Sequence, residues 1–169
     1  ETIDGRSGEG WTPLMWACVR GHLECAEALI GAGAAVDMVD NNNGYTALMR
    51  ACIQGHHECA QALVDAGAAV DMVNNDGYTA LMRACDFAHP ECAQALIEAG
   101  AAVDMVDNRG NTALMIACGL GRHECARVLI DANAAVDMVN NNGNTALMHA
   151  CDHGHHECAH ALIDAHADL

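Results

Sequence analysis

The sequence predicts an all-α solenoid in which helix–turn–helix units, joined by β-hairpin loops, stack side by side. Three observations lead to this prediction. One phrase recurs almost five times in 169 residues, with a period of 33. Each copy holds two short apolar segments separated by turn residues, which is typical of paired helices. A unit of this length cannot bury its apolar face alone, so neighbouring copies must cover one another.

The shared phrase reads G-x-T-A-L-M-x-A-C-x-x-G-H-x-E-C-A-x-A-L-I-D-A-G-A-A-V-D-M-V. Taking Gly as the start, its copies are residues 10–43, 44–76, 77–109, 110–142 and a shortened 143–169, preceded by residues 1–9. Residues 1–9 match the tail of a hairpin, because Ile3 precedes Gly10 by the same distance as Val70 precedes Gly77. Neither end carries an evident polar cap. We therefore expect a fragment of a longer array, or a module whose ends are covered.

The first helix of each copy has clear start and stop residues. In the second copy Thr46 is a good N-cap and Gly55 a good helix terminator. In the first copy Pro13 occupies the first helical position, where its missing N–H has no cost. Helical spacing then places three apolar side chains on one face of the second copy's helix, namely Leu48, Ala51 and Cys52.

The second helix and the hairpin follow from the next residues of the copy. Glu58 places a negative charge in the first turn of a helix, where the helix dipole favours it. Gly67 is a natural left-handed terminator for that helix. Residues 69–73 are expected to be extended, and residues 74–77 have the composition of a turn.

These copies resemble the ankyrin repeat, whose phrase G-x-T-P-L-H-x-A-A-x-x-G-H is matched at Gly10–Cys18 and Gly21–His22. The resemblance covers nearly the whole chain and implies the ankyrin-repeat solenoid. Two departures recur in every copy, because Cys replaces the second Ala and Met replaces the family His. Since that His commonly ties its loop by hydrogen bonds, the loop here is expected to be held by packing. The methionines concerned are Met15, Met49, Met82, Met115 and Met148.

The resemblance implies a non-catalytic scaffold that binds proteins through a concave face formed by hairpin tips and first helices. The positions at which the copies differ fall on this face. All five aromatic residues occupy such variable positions, whereas all ten Cys and nine Met occupy shared ones. Trp, Tyr and Arg are enriched at binding hot spots. The predicted partner-binding residues are Trp11, Trp16, Arg20, Tyr45, Arg50, Tyr78, Arg83, Phe87, Asn111, Ile116, Leu120, Asn144, His149 and His153. Aromatic and Arg residues come first along the array and imidazoles last.

Composition narrows the class of partner. The formal charge is −16, from 23 acidic and 7 basic residues. Because such a surface repels phosphate groups, we do not expect nucleic acid as a ligand. A basic or neutral protein or peptide is the expected partner. No apolar run is long enough to span a membrane. Residues 1–10 are polar and acidic, unlike a signal peptide. We expect a monomer, with end-to-end association as a possibility.

The cysteines leave an alternative open. Each copy carries a pair seven residues apart among apolar residues, which suits buried free thiols in a reducing, intracellular compartment. The alternative is a metal- or redox-responsive array, since His-His-Glu-Cys occurs at residues 56–59 and 155–158. Structural zinc sites usually have closer Cys pairs, and the fourth copy has Arg122 in place of the His. The fifth copy collects His149, His153, His155, His156, His160 and His166, which could also form a pH-sensitive patch.

An enzyme is the least supported class. Ser7 is the only serine, and a Cys recurring five times at an apolar position is unlike a catalytic centre, which is built once. Residues 31–33 lack the Gly-Lys-Ser/Thr of a phosphate loop. We predict no catalytic residue, no metal and no cofactor.

Overall fold

The computed structural model describes residues 2–165, which form five successive helix pairs. The ten helices of this part of the chain are α1 (Pro13–Arg20), α2 (Leu23–Gly31), α3 (Ala47–Gln54), α4 (His57–Asp65), α5 (Ala80–Asp86), α6 (Pro90–Glu98), α7 (Ala113–Gly119), α8 (His123–Asp131), α9 (Ala146–Asp152) and α10 (His156–Asp164). The all-α fold class is therefore confirmed.

The helices stack in two layers. The odd-numbered helices, which come first in each copy, contact one another in chain order from α1 to α9. The even-numbered helices contact one another in the same order from α2 to α10, and each pair also packs within its own copy. Each copy thus contacts mainly its immediate neighbours, as expected for a repeat array.

The first helices start at the predicted caps. Each begins after a Thr in extended backbone whose Oγ1 accepts the N–H of the Met three residues later, at 3.2 Å. This bond satisfies one of the N–H groups that an α-helix leaves unpaired at its start. The capping residues are Thr12, Thr46, Thr79, Thr112 and Thr145.

The recurrent Met lies in the core, but the hairpin is not held by packing alone as expected, because a buried Asp or Asn in it accepts backbone N–H groups of its turn. Met15, Met49, Met82 and Met115 are at most 2% exposed, so the residue that replaces the family His is held by packing. Met148 in the fifth copy differs, with 53% of its surface exposed. The same residue is therefore buried only where a further copy stacks on it.

The hairpins differ from the expectation that residues 69–73 are extended. A turn at Val70 and Asp71 interrupts this segment, and the N–H of Met72 donates to the Ala69 carbonyl at 3.4 Å. The turn brings the Asp71 carboxylate to the next copy, where it accepts the N–H of Ala102 at 3.0 Å. Within residues 2–165 the hairpins contain two isolated β-bridges, Val39 to Thr46 and Val106 to Thr112. No β-strand forms among these residues.

Backbone hydrogen bonds between successive hairpin tips set the register of the stack. In every case the N–H of an Asn donates to a carbonyl of the preceding hairpin at 3.0–3.1 Å. The pairs are Asn41 to Glu9, Asn75 to Asn43, Asn108 to Asp76, and Asn141 to Arg109. Each tip is therefore fixed relative to its neighbour by a bond that does not depend on side-chain identity.

A second periodic bond joins the bases of the hairpins. An Asp carboxylate accepts the N–H of an Ala in the following copy at 2.9–3.0 Å. The pairs are Asp4 with Ala35, Asp37 with Ala69, Asp71 with Ala102, and Asp104 with Ala135. Asp4 thus makes the bond that hairpin aspartates make elsewhere, which agrees with the hairpin-like spacing of residues 1–9.

The Gly-His step of the phrase forms a close contact between copies. The ring of His56 packs so tightly on Gly21 that a Cβ on this glycine would lie 2.6 Å from it. Gly21 also has φ +69°, a left-handed conformation that glycine adopts without strain. At the next interface, His89 Nε2 donates to the carbonyl of Ile53 at 3.1 Å. The glycine is therefore needed for space as well as for conformation.

One interface departs from this pattern on both sides at once. Ala88 stands where the other copies have Gly, with φ 62°, and the facing residue is Arg122 instead of His. The Arg122 Nε donates to the carbonyl of Asp86 at 3.3 Å, replacing the histidine bond. Since a Cβ at this place would collide with an imidazole ring, the two changes compensate each other.

We expect Arg122→His to lower the free energy of unfolding by about 1–3 kcal/mol, because the imidazole collides with the Ala88 methyl group. Adding Ala88→Gly should recover most of this loss, since it restores the arrangement of the other interfaces. Urea denaturation of the four proteins of this double-mutant cycle measures the coupling. An equal loss from Arg122→His in both backgrounds would contradict the compensation.

Candidate partner-binding face

The structure brings six of the predicted residues together in one continuous row. The rings of Trp11 and Trp16 lie 4.5 Å apart. The Arg50 guanidinium carbon lies 4.4 Å from the Trp11 ring and 4.3 Å from the Tyr45 ring. Arg83 continues the stack, 5.2 Å from Tyr45 and 3.9 Å from Tyr78. We call this set, Trp16, Trp11, Arg50, Tyr45, Arg83 and Tyr78, the aromatic–arginine row.

The repeat itself creates the row. Trp11, Tyr45 and Tyr78 each follow the Gly that ends a hairpin and precede the Thr that caps a first helix. Arg50 and Arg83 each lie four residues after such a Thr, one turn into the helix. Because successive copies stack in register, Arg50 of the second copy enters between the ring of its own copy and that of the first. Sandwiched guanidinium groups of this kind stabilise the folded state by about 0.5–2 kcal/mol each.

Asp40 anchors the first arginine of the row. Its carboxylate is buried, forms a salt bridge with Arg50 and accepts the N–H groups of Asn43 and Gly44 at 3.0 Å. Burial acts to raise the pKa of the Asp40 carboxyl, but the hydrogen bonds from Asn43, Arg50 and Tyr45 lower this pKa below its ordinary value. Asp40 is therefore a charged group held inside the hairpin to position Arg50.

Arg83 has acidic partners of a different origin. Arg83 Nη1 lies 3.0 Å from Oδ2 of Asp86, which is one turn later in α5. Arg83 Nη2 lies 3.9 Å from Oδ2 of Asp76 at the hairpin tip. Only 12% of the Arg83 side chain is exposed, against 19% for Arg50. Burial, with the charges of Asp107 and Asp86, raises the pKa of the Tyr78 hydroxyl, so this group is a neutral hydrogen-bond donor at neutral pH.

Amide and imidazole groups continue the row in the last copies. Asn111 Nδ2 donates to Asp107 at 3.3 Å. Asn140 Nδ2 donates to Asn111 Oδ1 at 2.8 Å and to His149 Nε2 at 3.2 Å. Asn144, at the position of Tyr78, is half-buried and its backbone N–H donates to Asn140 Oδ1 at 3.0 Å. The change from aromatic to polar groups along the array follows the order predicted from the sequence.

The remaining predicted residues lie on the same layer but outside the row. Phe87 and Leu120 directly follow first helices and are exposed, at 47% and 44%. Arg20 is exposed and Ile116 is half-buried. His153 donates from Nδ1 to the His149 carbonyl at 3.0 Å and stacks on the ring of His155 at 6.0 Å. The role of these residues in binding a partner stays a prediction.

Sequence reasoning missed the residues that support the face. They are buried and occur once in each of four hairpins, as Asp40, Asn74, Asp107 and Asn140. Their side-chain oxygens accept backbone N–H groups of the turn that follows, at 2.8–3.3 Å. The available signal was an Asp or Asn three or four residues before the Gly that ends each of these four hairpins, which is typical of a side chain that closes its own turn.

Exposed carboxylates concentrate on the opposite layer. In each copy, the second helix has an exposed Glu in its first turn. Most of these second helices also end with an exposed Glu or Asp. The exposed acids of the second helices are Glu24, Glu27, Glu58, Asp65, Glu91, Glu98, Glu124, Asp131, Glu157 and Asp164. The aromatic–arginine row, in contrast, pairs its two arginines with Asp40, Asp76 and Asp86. More of the exposed carboxylates therefore lie on the second helices than on the hairpins and first helices, where the exposed acids of the described chain are Glu9, Asp37, Asp76, Asp104, Asp137 and Asp152.

The cysteines pair between copies instead of within them. Cys125 Sγ donates to the Ala84 carbonyl of the preceding copy at 4.0 Å. Interaction with Cys92 of the next copy, together with burial, raises the pKa of the Cys52 thiol well above its ordinary value. Burial raises the pKa of Cys18 to about 12. All ten cysteines are free, and eight are buried; the exposed two are Cys25 and Cys151.

Among residues 2–165, no three or more His, Cys, Asp or Glu side chains are placed to hold a metal ion. The alternative of a metal-responsive array thus has no candidate ligand set there. His166, part of the predicted histidine cluster, lies outside the described residues. No described helix is long and apolar enough to cross a membrane.

Comparison with known families agrees with the phrase and the helix pairs. A family model for ankyrin repeats, three copies, matches residues 2–73, 32–107 and 99–169. Together these matches span nearly the whole chain. No curated protein matches it.

Asp40→Asn should lower the free energy of unfolding at pH 7 by about 1–3 kcal/mol, because the Arg50 charge loses its buried partner. The folded pKa of Asp40 is lowered, so its contribution is present above the unfolded pKa of about 3.9 and is lost as pH falls through the folded value. Urea denaturation between pH 7 and pH 3 should therefore show wild type and variant converging in acid. Asp76→Asn, at an exposed carboxylate, is the control; a difference independent of pH would contradict this role.

Two cysteines should react with a thiol reagent in the folded protein, and eight only after unfolding. Cys25 and Cys151 are exposed because no copy covers them, whereas the other eight are buried and out of reach of a reagent in solvent. Ellman's reagent, with and without urea, measures both groups. A double Cys25→Ser, Cys151→Ser variant should lose the fast phase; a fast phase that persists in this variant would contradict the burial of the remaining thiols.

Proposed function

The chain belongs to the ankyrin-repeat family, and from this premise we propose that it is a non-catalytic module that binds a protein partner through its hairpin tips and first helices. Ankyrin repeats are generally protein–protein interaction modules. The single observation that carries the proposal is the aromatic–arginine row, which concentrates Trp, Tyr and Arg side chains from three copies on one layer.

The geometry of the row favours binding because its side chains are already ordered. Arg50 and Arg83 are held between rings and by carboxylates, so little rotamer entropy remains to be lost in a complex. Trp16, 46% exposed, offers a large apolar surface at one end of the row. Aromatic and Arg residues in such preorganised arrangements are the usual hot spots of protein interfaces.

The partner is proposed to be neutral or weakly basic at this face. Carboxylates neutralise the arginines of the row, so the face does not demand an oppositely charged ligand. An acidic or phosphate-bearing partner is repelled by the net charge of −16. The ten free thiols favour a reducing, intracellular compartment, and we propose that the protein acts there as a monomer.

The cysteines support the non-catalytic part of the proposal. A nucleophilic cysteine needs a lowered pKa and access to substrate. Burial, with the charges of Glu58 and Glu27, raises the pKa of the Cys59 thiol, which is the Cys nearest in sequence to the His56-His57 pair. This thiol is 1% exposed and serves the packing between copies.

A capture experiment tests the proposal with a matched pair of variants. Tyr45→Leu with Tyr78→Leu removes two rings of the row while keeping apolar bulk for folding. Gln61→Leu with Gln94→Leu also introduces two leucines, at exposed positions of the second helices α4 and α6, and serves as the control. Proteins cross-linked to wild type in lysate should be retained by the second variant and reduced at least tenfold with the first.

Circular dichroism and the urea midpoint of each variant decide whether a loss reflects the face or the fold. Partners lost from a folded Tyr45→Leu, Tyr78→Leu variant support the proposal. Partners lost equally from both variants, or retained by both, would place the binding site elsewhere in the protein.

A further inference from the structure

We propose that Asn142 is a site of spontaneous deamidation, whereas Asn43, which is also followed by glycine, is protected by the fold. The chain has two Asn-Gly steps, Asn43-Gly44 and Asn142-Gly143, and both lie at hairpin tips. This inference concerns the covalent chemistry of the tips and does not depend on the proposed function. It rests on the different contacts that the two steps make.

Deamidation at such a step is an intramolecular reaction. The backbone nitrogen of the glycine attacks the side-chain carbonyl carbon of the asparagine, a cyclic imide forms, and ammonia leaves with the proton of that nitrogen. Water then opens the imide, so that a carboxylate of aspartate or isoaspartate replaces the amide. Glycine has no Cβ to hinder the attack. The reaction therefore requires an amide side chain that can turn towards the backbone and a glycine nitrogen that can lose its proton.

The fold opposes both requirements at Asn43. The Asn43 Nδ2 donates to the Asp76 carboxylate of the next copy at 3.0 Å, which holds the side chain across the interface. The Gly44 N–H donates to the buried Asp40 carboxylate at 3.0 Å. Loss of this proton would leave a negative nitrogen beside a negative carboxylate, and the two charges would repel each other. The next hairpin also covers the step, since the Asn43 carbonyl accepts the N–H of Asn75 at 3.0 Å.

Asn142 lacks these restraints. Asn142 and Gly143 are both exposed. Among the described residues, the Asn142 side chain makes no hydrogen bond, while its backbone N–H donates to Asn140 Oδ1 at 3.0 Å. In the same part of the chain, apart from the two chain neighbours of Gly143, no heavy atom lies within 4 Å of the position that a Cβ on this glycine would occupy. The Gly143 N–H donates at 2.9 Å to the Asn140 carbonyl, which is a neutral acceptor.

The contacts predict a large difference in rate between the two steps. Before the imide can form at Asn43, its side chain and the Gly44 N–H must each leave a carboxylate. Breaking one hydrogen bond to a charged group slows a reaction by about tenfold or more. At Asn142 only the bond from Gly143 to a neutral carbonyl has to break. In the folded chain Asn142 should therefore deamidate at least tenfold faster than Asn43.

Deamidation of Asn142 would change the charge of the candidate face near its histidine end. Asn142 occupies the position of Asp76, because each directly precedes the Gly of a hairpin tip. Asp76 comes seven residues before Arg83, and Asn142 comes seven residues before His149. In the earlier copy Asp76 Oδ2 lies 3.9 Å from Arg83 Nη2. An aspartate formed at residue 142 would thus add a carboxylate on the side of the tip that faces His149, and the aromatic–arginine row would be unaltered.

The test incubates the full chain in mildly alkaline buffer, folded and in urea, and follows its tryptic peptides by mass spectrometry. Cleavage after arginine places Asn43 in the peptide of residues 21–50 and Asn142 in that of residues 128–169. In the folded chain the second peptide should exchange amide for carboxylate at least tenfold faster, with the change at residue 142. In urea the two rates should agree within threefold. Equal rates in the folded chain, or the same preference for Asn142 in urea, would overturn the inference.

Two variants test the chemistry and its cause. Asn142→Gln lengthens the side chain, which disfavours the imide ring, and should abolish the fast change in residues 128–169. Asp76→Ala removes the partner of the Asn43 amide and should speed deamidation of Asn43 at least threefold, with that of Asn142 unchanged. Circular dichroism checks that both variants are folded. A fast change that persists in the first variant, or an Asn43 rate that stays the same in the second, would contradict the assignment.

Discussion

The structure depends on one constraint: each copy can bury its apolar face only against the copy beside it. The same contacts between neighbours recur in successive copies and meet this constraint. The main one is a hydrogen bond in which the backbone N–H of a hairpin Asn donates to a carbonyl of the preceding hairpin tip. Eight of the ten shared Cys and four of the five first-helix Met are buried in the core that results. The same constraint explains why a change on one side of an interface, such as Ala88, occurs with a change on the other, such as Arg122.

The candidate face depends on this register as well. Arg50 lies between the rings of Trp11 and Tyr45 only because two copies stack with their hairpins aligned. Its charge is tolerated there because Asp40 is buried beside it. Variable positions therefore contact one another across copies, and they contribute to the stability of the array as well as to the surface that the array presents.

Much of the fold could be predicted from the sequence, because the phrase is repeated and its Thr caps and Gly terminators have local physical causes. Residues 69–73 were wrongly expected to be extended, since the turn at Val70 and Asp71 serves a bond to the next copy that no single copy reveals. The variable residues were identified as the candidate face because the ankyrin resemblance implies binding through hairpin tips and first helices, and because Trp, Tyr and Arg are enriched at binding hot spots. Their stacking could not be predicted, because it depends on side chains more than 30 residues apart and on the buried Asp40, whose role only the folded hairpin shows.

The sharing of rings between copies has a consequence for how the array unfolds. In a linear array, stability is the sum of the intrinsic stabilities of the copies and the coupling between neighbours. Each guanidinium held between two rings adds to that coupling, and does so only in the first three copies. The amino-terminal half should therefore open as one cooperative block, whereas the last copies, joined by amides and imidazoles, fray independently from the exposed Met148 end.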